Sequence, residues 1–443
     1  MLRLQVVRSA GVPYYVRDLV PGRAEGTRVA GESPGAWTGG GSAVLGLRGA
    51  VAADEFAELF AGRDPRGDRS LRTAGGGRSV AGVDLLFCAP KSVSLLHLLG
   101  PRELSGATGA AHAAAVADAF GSLERTGLGV RRTRGGVTRH LATTGAVAAG
   151  FVHRTSRALD PHLHTHLVTA NVAQGVDGVW SAVDTRRLFL HRRTLGAAYD
   201  ASLRRELTDR LGVAWELGPT GRWDVVGIDP VLARLFSQRS ASIDEQVSRS
   251  ADGARTPGRR RAAFHAGRPD KDTVPTVDGL RTAWRQRAAD HDLDPADLIR
   301  VVGLGRTVPA GPPVDRGALT AELVRMAGRR PTLGRGDLVA AVADAAPAGL
   351  RSAELDAVAD RLTRSVPPAR SGVARWATAA LLRDLDSSPG PLTATPDVAA
   401  RRTAEPAPRT ARELDAGHAR DRAYRSTEGP GHGLGPSAPG RHR

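Results

Sequence analysis

Three closely spaced histidines constrain the fold of this chain more than any other feature. His153, His164 and His166 lie within the stretch HRTSRALDPHLHTH. A spacing of two residues places the side chains of His164 and His166 on the same face of a β-strand, and Thr165 on the other face. The residues that follow, LVTANVA, are apolar and β-branched. They predict a strand through 163–173 that holds the histidine pair.

A hairpin would bring His153 to the same place. His153 follows the apolar run GAVAAGFV, and Asp160-Pro161 is a turn signal between the two predicted strands. Three imidazoles suit a divalent metal and leave positions open for water or a substrate oxygen. The sequence therefore predicts a site for one divalent ion (Mg, Mn or Zn), whose identity the spacing leaves open. The alternative is a chance cluster, since His162 shows that histidine is frequent here.

Three ordered blocks resemble one known family. The histidine stretch, with Asn171 after it, resembles the histidine motif of TrwC/MobF-type conjugative relaxases, which are HUH endonucleases. The block GVDLLFCAPKSVSLL at 82–96 is similar to the family segment G-x-D-L-x-F-x-A-P-K-S-V-S. The start, MLRLQVVRSAGVPYYVRDL, carries Tyr14-Tyr15 where the family keeps its nucleophilic tyrosines. The likeness covers about residues 1–300.

The resemblance implies a fold and a reaction. The fold is the α+β HUH-type relaxase fold, with a central, mainly antiparallel sheet flanked by helices. Helices that alternate with hairpin strands along the chain also indicate α+β. The reaction is a site- and strand-specific nick in transfer-origin DNA. Tyrosine attack, assisted by the metal, gives a 5′-phosphotyrosyl intermediate and a free 3′ hydroxyl, and religation follows.

The residue chemistry assigns roles within that reaction. A tyrosine hydroxyl, with a pKa of about 10, is a weak nucleophile until a base or a metal helps to remove its proton. Asp84 is the predicted helper, because it precedes the apolar run 85–87 on a predicted strand. A carboxylate is costly there unless it pairs with histidine, tyrosine or metal. The alternative is a solvated acid at a strand end.

Tyr14 and Tyr15 are the expected nucleophiles, with Tyr14 slightly favoured. The only other tyrosines of the sequence are Tyr199 and Tyr424. Adjacent residues face different directions, so one tyrosine can attack while the other packs or stacks against a base. Some relatives use a second downstream pair. Here, a two-tyrosine mechanism would have to use both members of the single pair.

Four further residues are candidate DNA contacts. Lys91 and Ser92 follow a proline, and either contact the DNA backbone or begin a helix that the serine caps. Arg154 and Arg157 flank the metal motif, and guanidinium groups match phosphate oxygens. The formal net charge of +16, nearly all of it from arginine, favours a nucleic-acid partner and salt-dependent binding. We therefore expect single-stranded and origin DNA as partners.

Composition excludes several other classes of protein. A single cysteine, Cys88, excludes an internal disulfide framework and cysteine-based zinc clusters. The sequence has no run of about eighteen apolar residues and no signal-peptide pattern at its start, so we expect a cytoplasmic protein without membrane insertion. Neither lysine lies in a G-x-x-x-x-G-K-[ST] pattern, so helicase activity is not expected. A separate helicase, relaxosome accessory proteins and a coupling protein are expected partners.

Pattern and composition predict three parts. Residues 1–300 form the relaxase domain, in which WSAVDTRRLF is predicted as strand and turn before a long helix. Residues 315–385 contain three short helices with apolar faces, which resemble the connector before the helicase of longer relatives. Residues 388–443 are rich in Pro, Gly, Arg and Ser, and predict a disordered tail.

Other functions stay open on the sequence alone. A rolling-circle replication initiator or transposase of the HUH class would use the same metal and tyrosine at another DNA site. A decayed, non-catalytic origin-binding protein would explain the charge, although Tyr14, Asp84 and the three histidines are retained. A metal-dependent hydrolase of small phosphoesters would explain the histidines and leave the tyrosine pair unused.

Overall fold

A five-stranded sheet forms the centre of this protein. In spatial order its strands are β1 (Leu2–Arg8), β3 (Val80–Cys88), β7 (Pro161–Ala170), β6 (Ala148–Thr155) and β2 (Ala36–Thr38). Every pair of neighbouring strands in it is antiparallel. The computed structural model describes residues 1–19, 34–72, 79–156, 158–218, 221–238, 276–306, 313–369, 375–387 and 392.

Helices and small strand pairs surround this sheet in the described residues. The α-helices are α1 (Val12–Leu19), α2 (Gly40–Val44), α3 (Ala53–Ala61), α4 (Lys91–Leu98), α5 (Arg102–Thr126), α6 (Thr185–Leu190), α7 (Arg192–Leu211), α8 (Pro230–Leu235), α9 (Val277–Ala289), α10 (Arg316–Ala327), α11 (Arg335–Asp344), α12 (Ser352–Arg364) and α13 (Thr378–Ser387). The strand pairs are β4 (Val130–Arg134) with β5 (Val137–Leu141), β8 (Ala173–Gln174) with β9 (Trp180–Ser181), β10 (Trp215–Leu217) with β11 (Trp223–Val225), and β12 (Thr332–Gly334) with β13 (Arg375–Ala377). Short 3-10 helices cover Ser9–Gly11, Pro295–Val301 and Leu304–Arg306. The predicted α+β class with a mainly antiparallel sheet is confirmed.

Apolar side chains bury both faces of the central sheet. Along β7, Leu163 and Leu167 belong to a core that also contains residues of α4, α5 and α7. Val168 and Ala170 belong to a second core, shared with α1 and α3. A strand covered on both faces needs no polar alternation, which is why the sequence after the histidines is a continuous apolar run.

Two predicted elements differ in the structure. The strand predicted through 173 ends at Ala170, where the side-chain amide of Asn171 donates to the carbonyl oxygen of Val80 (2.9 Å). The end of the segment predicted as strand and turn forms helix α6. Leu188 of α6 is buried in the larger core, so tertiary packing overrides the local preference of this short segment.

The three short helices predicted in 315–385 are α10, α11 and α12. The structure adds α13 and the β12–β13 pair, which the sequence pattern did not indicate. This helical segment packs against α7 and α5. Ser352, at the start of α12, donates its backbone N–H to Asp118 Oδ2 (2.8 Å) and its hydroxyl to Oδ1 (2.7 Å). These bonds tie α12 to α5.

A buried arginine joins α7 to the same segment. Arg204 is 3% exposed, and it donates to the carbonyl oxygens of Ala343 (2.6 Å), Ala346 (3.2 Å) and Pro347 (3.2 Å). These carbonyls lie at the C-terminal end of α11, where a helix leaves acceptors without internal partners. Burial lowers the pKa of Arg204 to about 10, so the group stays charged at neutral pH. The arginine therefore caps one helix from another.

The chain also approaches α7 very closely at Gly349. Its φ is +78°, and a Cβ at this position would lie 2.1 Å from the carbonyl oxygen of Ala201. Glycine alone tolerates both constraints. The described residues of the segment and of the sheet belong to one compact unit, Met1–Thr395, and the predicted boundary between 300 and 315 stays a prediction.

Two other expectations concern the C-terminal tail and membrane insertion. The predicted disordered tail, 388–443, lies outside the described residues apart from Leu392. Among the helices that the structure describes, none is both long enough and apolar enough to cross a bilayer.

We expect Arg204→Met to lower the free energy of unfolding by about 2–4 kcal/mol, because it leaves buried carbonyl oxygens without donors. Urea denaturation followed by circular dichroism measures the change. Arg205→Met is the matched control, since Arg205 lies on the same helix and forms a partly exposed pair with Asp209. Its loss should cost less than about 1 kcal/mol. Equal losses in the two variants would contradict a specific role for Arg204.

Candidate functional site

The three motif histidines meet at one end of β6 and β7. His153 lies directly opposite His164 in the antiparallel ladder, and His166 lies opposite Phe151. The potential ligand atoms of the three imidazoles all lie within 4.8 Å of one another. The predicted hairpin is present, and it gathers the three side chains.

Hydrogen bonds orient two of these rings. His164 Nδ1 lies 2.9 Å from the carbonyl oxygen of His162, and His166 Nδ1 lies 2.8 Å from Asp84 Oδ2. Because the carbonyl and the carboxylate are acceptors, each Nδ1 carries the proton and each Nε2 keeps its lone pair. Imidazoles that bind metals are usually held in this way. The donor set therefore fits a divalent metal ion.

Burial keeps His164 in the neutral form that binds metals. Burial, with a smaller effect of the neighbouring His166, lowers the pKa of His164 to about 3. The ring of His162 stacks on that of His164, with 4.7 Å between their centroids. Burial also lowers the pKa of His162 well below its ordinary value. His164 therefore needs to release no proton to bind a metal at neutral pH.

One buried carboxylate links the histidines to the tyrosine pair. Asp84, on β3, is 3% exposed, which excludes a solvated acid. Its Oδ2 accepts from His166 Nδ1 and from the hydroxyl of Tyr15, at 3.3 Å. Its Oδ1 is buried and has no hydrogen-bond partner among the described residues. One oxygen of Asp84 is thus committed to the site, and the other is available to a further donor.

The two tyrosines of α1 have different surroundings. Tyr15 is 7% exposed and Tyr14 is 39% exposed. Burial and the charge of Asp84 raise the pKa of Tyr15 well above its ordinary value. The hydroxyl of Tyr15 therefore stays protonated and donates a hydrogen bond to Asp84. Adjacent residues of a helix differ in direction by about 100°, which places Tyr14 at the surface beside the buried ring.

A buried hydrogen-bond chain, which the sequence pattern did not indicate, lies on the other face of β7. Thr165 Oγ1 lies 2.8 Å from His112 Nε2, and His112 Nδ1 lies 2.9 Å from the hydroxyl of Tyr199. All three side chains are buried. The available signal was a histidine on the apolar stripe of an alanine-rich helix, because a buried polar group requires partners.

Comparison with known families gives a direct result. Residues 8–291 match the family model described as TrwC relaxase. The chain belongs to the TrwC relaxase family. The multifunctional conjugation protein TraI of Escherichia coli is 36% identical to it over 265 aligned residues, and the match covers 57% of this chain and 14% of TraI. TraI of Escherichia coli strain K12 is 35% identical over 265 residues. The chain thus spans 14% of the length of these curated relatives.

Solved structures of this family share the fold. The conjugative relaxase TrwC in complex with oriT DNA, in a metal-free form, superimposes with a TM-score of 0.59 and 31% identity. The match covers 67% of this chain and 100% of that chain. A metal-bound TrwC complex with oriT DNA gives a TM-score of 0.58 and 31% identity over the same shares. A TrwC complex with a 27-mer DNA, comprising the recognition hairpin and the cleavage site, gives 0.58 and 30%.

Within this relaxase fold, Lys91 and Ser92 bond to other parts of the protein. The ammonium of Lys91 donates to the carbonyl oxygens of Pro161 and Phe236, both at 2.7 Å, and burial lowers its pKa to about 8. The hydroxyl of Ser92 donates to the carboxylate of Asp224, and it does not cap the helix. These bonds anchor α4, and they use two of the three N–H donors of the Lys91 ammonium.

Of the two arginines that flank the metal motif, the structure describes Arg154 alone. Arg154 lies where the register of β6 shifts, between His153 and Thr155. After the larger effect of burial, its charge helps to lower the pKa of His97 on α4. Arg157 lies outside the described residues. The phosphate contacts expected of both arginines stay predictions.

Stability of the metal-free protein should rise with pH between about 3 and 6.5. Burial, the largest cause, lowers the pKa values of His112 and His164 to about 3, while the unfolded chain has the ordinary value of about 6.5. Between these values the unfolded state binds more protons, so protonation favours unfolding as pH falls. Each group contributes a slope of up to about 1.4 kcal/mol per pH unit.

Urea denaturation in the presence of a chelator measures this dependence. The variant His112→Gln is the control, because glutamine offers polar atoms to Thr165 and Tyr199 and removes one titrating group. Its slope should be shallower than that of the wild type. A flat profile in the wild-type protein would show that these histidines are not buried as neutral groups.

Proposed function

We propose that this protein is a conjugative relaxase, which cuts one strand of transfer-origin DNA by tyrosine attack and later rejoins it. The observation that carries the proposal is the junction at Asp84. This carboxylate bonds to His166, one of three clustered imidazoles, and to Tyr15 of the tyrosine pair. The relatives named above include TrwC bound to oriT DNA, which supports the same substrate class here.

His153, His164 and His166 would hold one divalent metal ion, and the metal-bound forms of TrwC support this assignment. Such an ion supplies positive charge to the phosphate that is attacked. Mg, Mn and Zn all stay candidates. The histidines themselves provide three neutral donors in a fixed orientation, so that no negative charge from the ligands opposes an incoming phosphate.

Tyr14 is the proposed nucleophile. Its phenol oxygen forms a bond to phosphorus while the bond from phosphorus to the 3′ oxygen breaks. The tyrosine loses its proton and the 3′ oxygen gains one, so charge and atoms balance. Exposure favours Tyr14, because a DNA strand can reach an exposed residue without unpacking the core. Tyr15 stays protonated, donates a hydrogen bond to Asp84, and acts as a positioning residue for α1.

Asp84 is the proposed acceptor of the proton from Tyr14. Its Oδ1 is buried without a partner in the described part of the chain, and an unpaired carboxylate oxygen in an apolar setting accepts a proton donor readily. Its Oδ2 meanwhile holds the ring of His166. One residue would therefore both orient a metal ligand and activate the nucleophile.

The remaining assignments follow from this function. The candidate contacts to the DNA backbone remain Lys91, Ser92, Arg154 and Arg157. The internal hydrogen bonds of Lys91 and Ser92 argue against a DNA contact by these two residues. Relaxosome accessory proteins, a coupling protein and a separate helicase are proposed partners, in the cytoplasm. The domain limits 1–300 and 315–385 are likewise proposed.

Covalent capture of DNA tests the proposal. We expect the full chain with Mn²⁺ to form a denaturant-stable adduct with one of a tiled set of labelled single strands that cover the neighbouring origin region. Chelator should abolish the adduct. Tyr14→Phe should abolish it, and Tyr15→Phe should slow its formation without abolishing it, because only a positioning hydrogen bond is lost. Denaturing gels measure both variants.

Other outcomes assign the protein differently. Loss in Tyr15→Phe with retention in Tyr14→Phe would exchange the roles of the two tyrosines. Nicking without an adduct would indicate attack by water. Capture only on a replication origin or a transposon end would indicate another HUH activity, and binding without cleavage would indicate a non-catalytic origin-binding protein.

Asp84→Asn separates the two roles proposed for the carboxylate. Asparagine keeps an acceptor for His166 but cannot take a proton. At saturating Mn²⁺, the single-turnover rate of adduct formation should fall by about 10²–10⁴, and metal affinity should fall by about 10–100-fold. Rapid-quench assays and metal titration measure the two effects. Full recovery of the rate at high Mn²⁺ would restrict Asp84 to orienting His166.

A further inference from the structure

The turn that joins the two histidine strands contains a strained residue. Leu159 lies in this turn with a φ of 59°, in the left-handed region that residues with a Cβ disfavour. In the part of the chain that the structure describes, Asp292 is the other non-glycine residue with positive φ. A short polar side chain tolerates this conformation better than leucine does. The strain at Leu159 therefore requires contacts from outside the turn.

Helix α9 supplies such contacts. The indole N–H of Trp284 donates to the carbonyl oxygen of Leu159 at 2.9 Å, across 125 residues of sequence. Trp284 is 4% exposed, and the side chain of Leu159 packs against the core to which Trp284 belongs. Arg287, on the same face of α9, lies 3.9 Å from the buried carboxylate of Asp160. Two consecutive residues of the turn thus contact one face of α9.

This turn lies next to the metal ligands, at the same end of the sheet. His153 lies opposite His164 in the ladder, and the next pair towards the turn is Thr155 with Pro161. The register shifts between these two pairs, so strand pairing alone fixes this end of the hairpin less firmly than a regular ladder would. His164 is three residues, about 10 Å, from Pro161. A change in the turn would therefore move His153 relative to His164.

The two sides of the turn have different supports. On the β7 side, Lys91 donates to the carbonyl oxygen of Pro161 (2.7 Å), and the backbone N–H of Leu163 donates to the hydroxyl of Ser94 (3.1 Å). These bonds from α4 fix the start of the strand that carries His164. The contacts from α9 act before Pro161, on the side that leads back to His153.

We propose that Trp284 is a positioning residue for the metal site: its hydrogen bond to Leu159 keeps the turn in the conformation that places His153 opposite His164. This inference rests on the metal role given to the three histidines in the proposed function. An indole N–H is a donor only, and the burial of Trp284 keeps water from replacing it. Without this donor the turn can relax at Leu159, and His153 leaves its place beside the other two ligands.

Titration of the metal-free full chain with Co²⁺, followed by the visible absorption of the bound ion, tests this role. Trp284→Phe keeps an aromatic ring in the core and removes the donor. We expect its Kd for Co²⁺ to rise about tenfold, or about 1.4 kcal/mol, as for other residues that orient metal ligands. Trp215→Phe is the matched control, because it removes an indole donor that bonds to Thr208 Oγ1 (3.1 Å). Its Kd should stay within about twofold of the wild-type value.

Substitutions at Leu159 separate this role from a general loss of stability. Leu159→Gly and Leu159→Ala both remove the leucine side chain, but only glycine adopts a positive φ without strain. In the Trp284→Phe background, Leu159→Gly should return the Kd to within about threefold of wild type, and Leu159→Ala should not. Urea denaturation of the same variants measures stability. A purely structural loss would lower the free energy of unfolding and leave the Kd of the folded protein unchanged.

A Kd that is the same in Trp284→Phe and Trp215→Phe would overturn the proposal, as would a glycine variant that recovers no more affinity than the alanine variant. Failure of the wild-type chain to bind Co²⁺ would overturn both this inference and the metal role of the histidines. The expected series of Kd values without a covalent DNA adduct would overturn the proposed function and support the role of Trp284.

Discussion

The alternation of side chains along β7 is the constraint on which the rest of the site depends. His164 and His166 occupy one face with Asp84 and α1, and Thr165 occupies the other face with His112 and Tyr199. Thr165 and His164 are buried, and His166 is partly exposed. A slip of one residue in register would exchange the two sets and place imidazoles in the apolar core. Packing on both sides thus fixes the geometry that a metal needs.

Asp84 is the second residue on which the site depends, because His166 and Tyr15 both bond to this buried carboxylate. Burial of a carboxylate is unfavourable unless hydrogen bonds offset it, and here a histidine N–H and a tyrosine O–H do so at one oxygen. The same low-polarity surroundings strengthen those bonds. Asp84 of β3 therefore connects His166 to Tyr15 on α1. A substitution at any one of these three residues should alter the hydrogen bonds of the other two.

The parts of this site that follow local periodicity could be predicted from the sequence, and the parts set by distant packing could not. The spacing of His164 and His166, and an acid preceding an apolar run, are enough to indicate the histidine face and Asp84. The burial of Tyr15 rather than Tyr14 depends on how α1 rotates against the sheet. The bond from Lys91 to Phe236 spans 145 residues of sequence, so local pattern could not choose between a DNA contact and a helix start for Lys91.

The helical segment beyond the family match has a physical connection to the histidine strand. Arg204 and Tyr199 both lie on α7, one capping α11 and the other bonded through His112 to Thr165. The match ends at residue 291, yet the carbonyl groups that satisfy Arg204 begin at Ala343. A fragment that stopped at 300 would leave this guanidinium without those acceptors in an otherwise apolar setting. The side of α7 that supports the histidine strand is therefore stabilised, in part, by residues outside the family region.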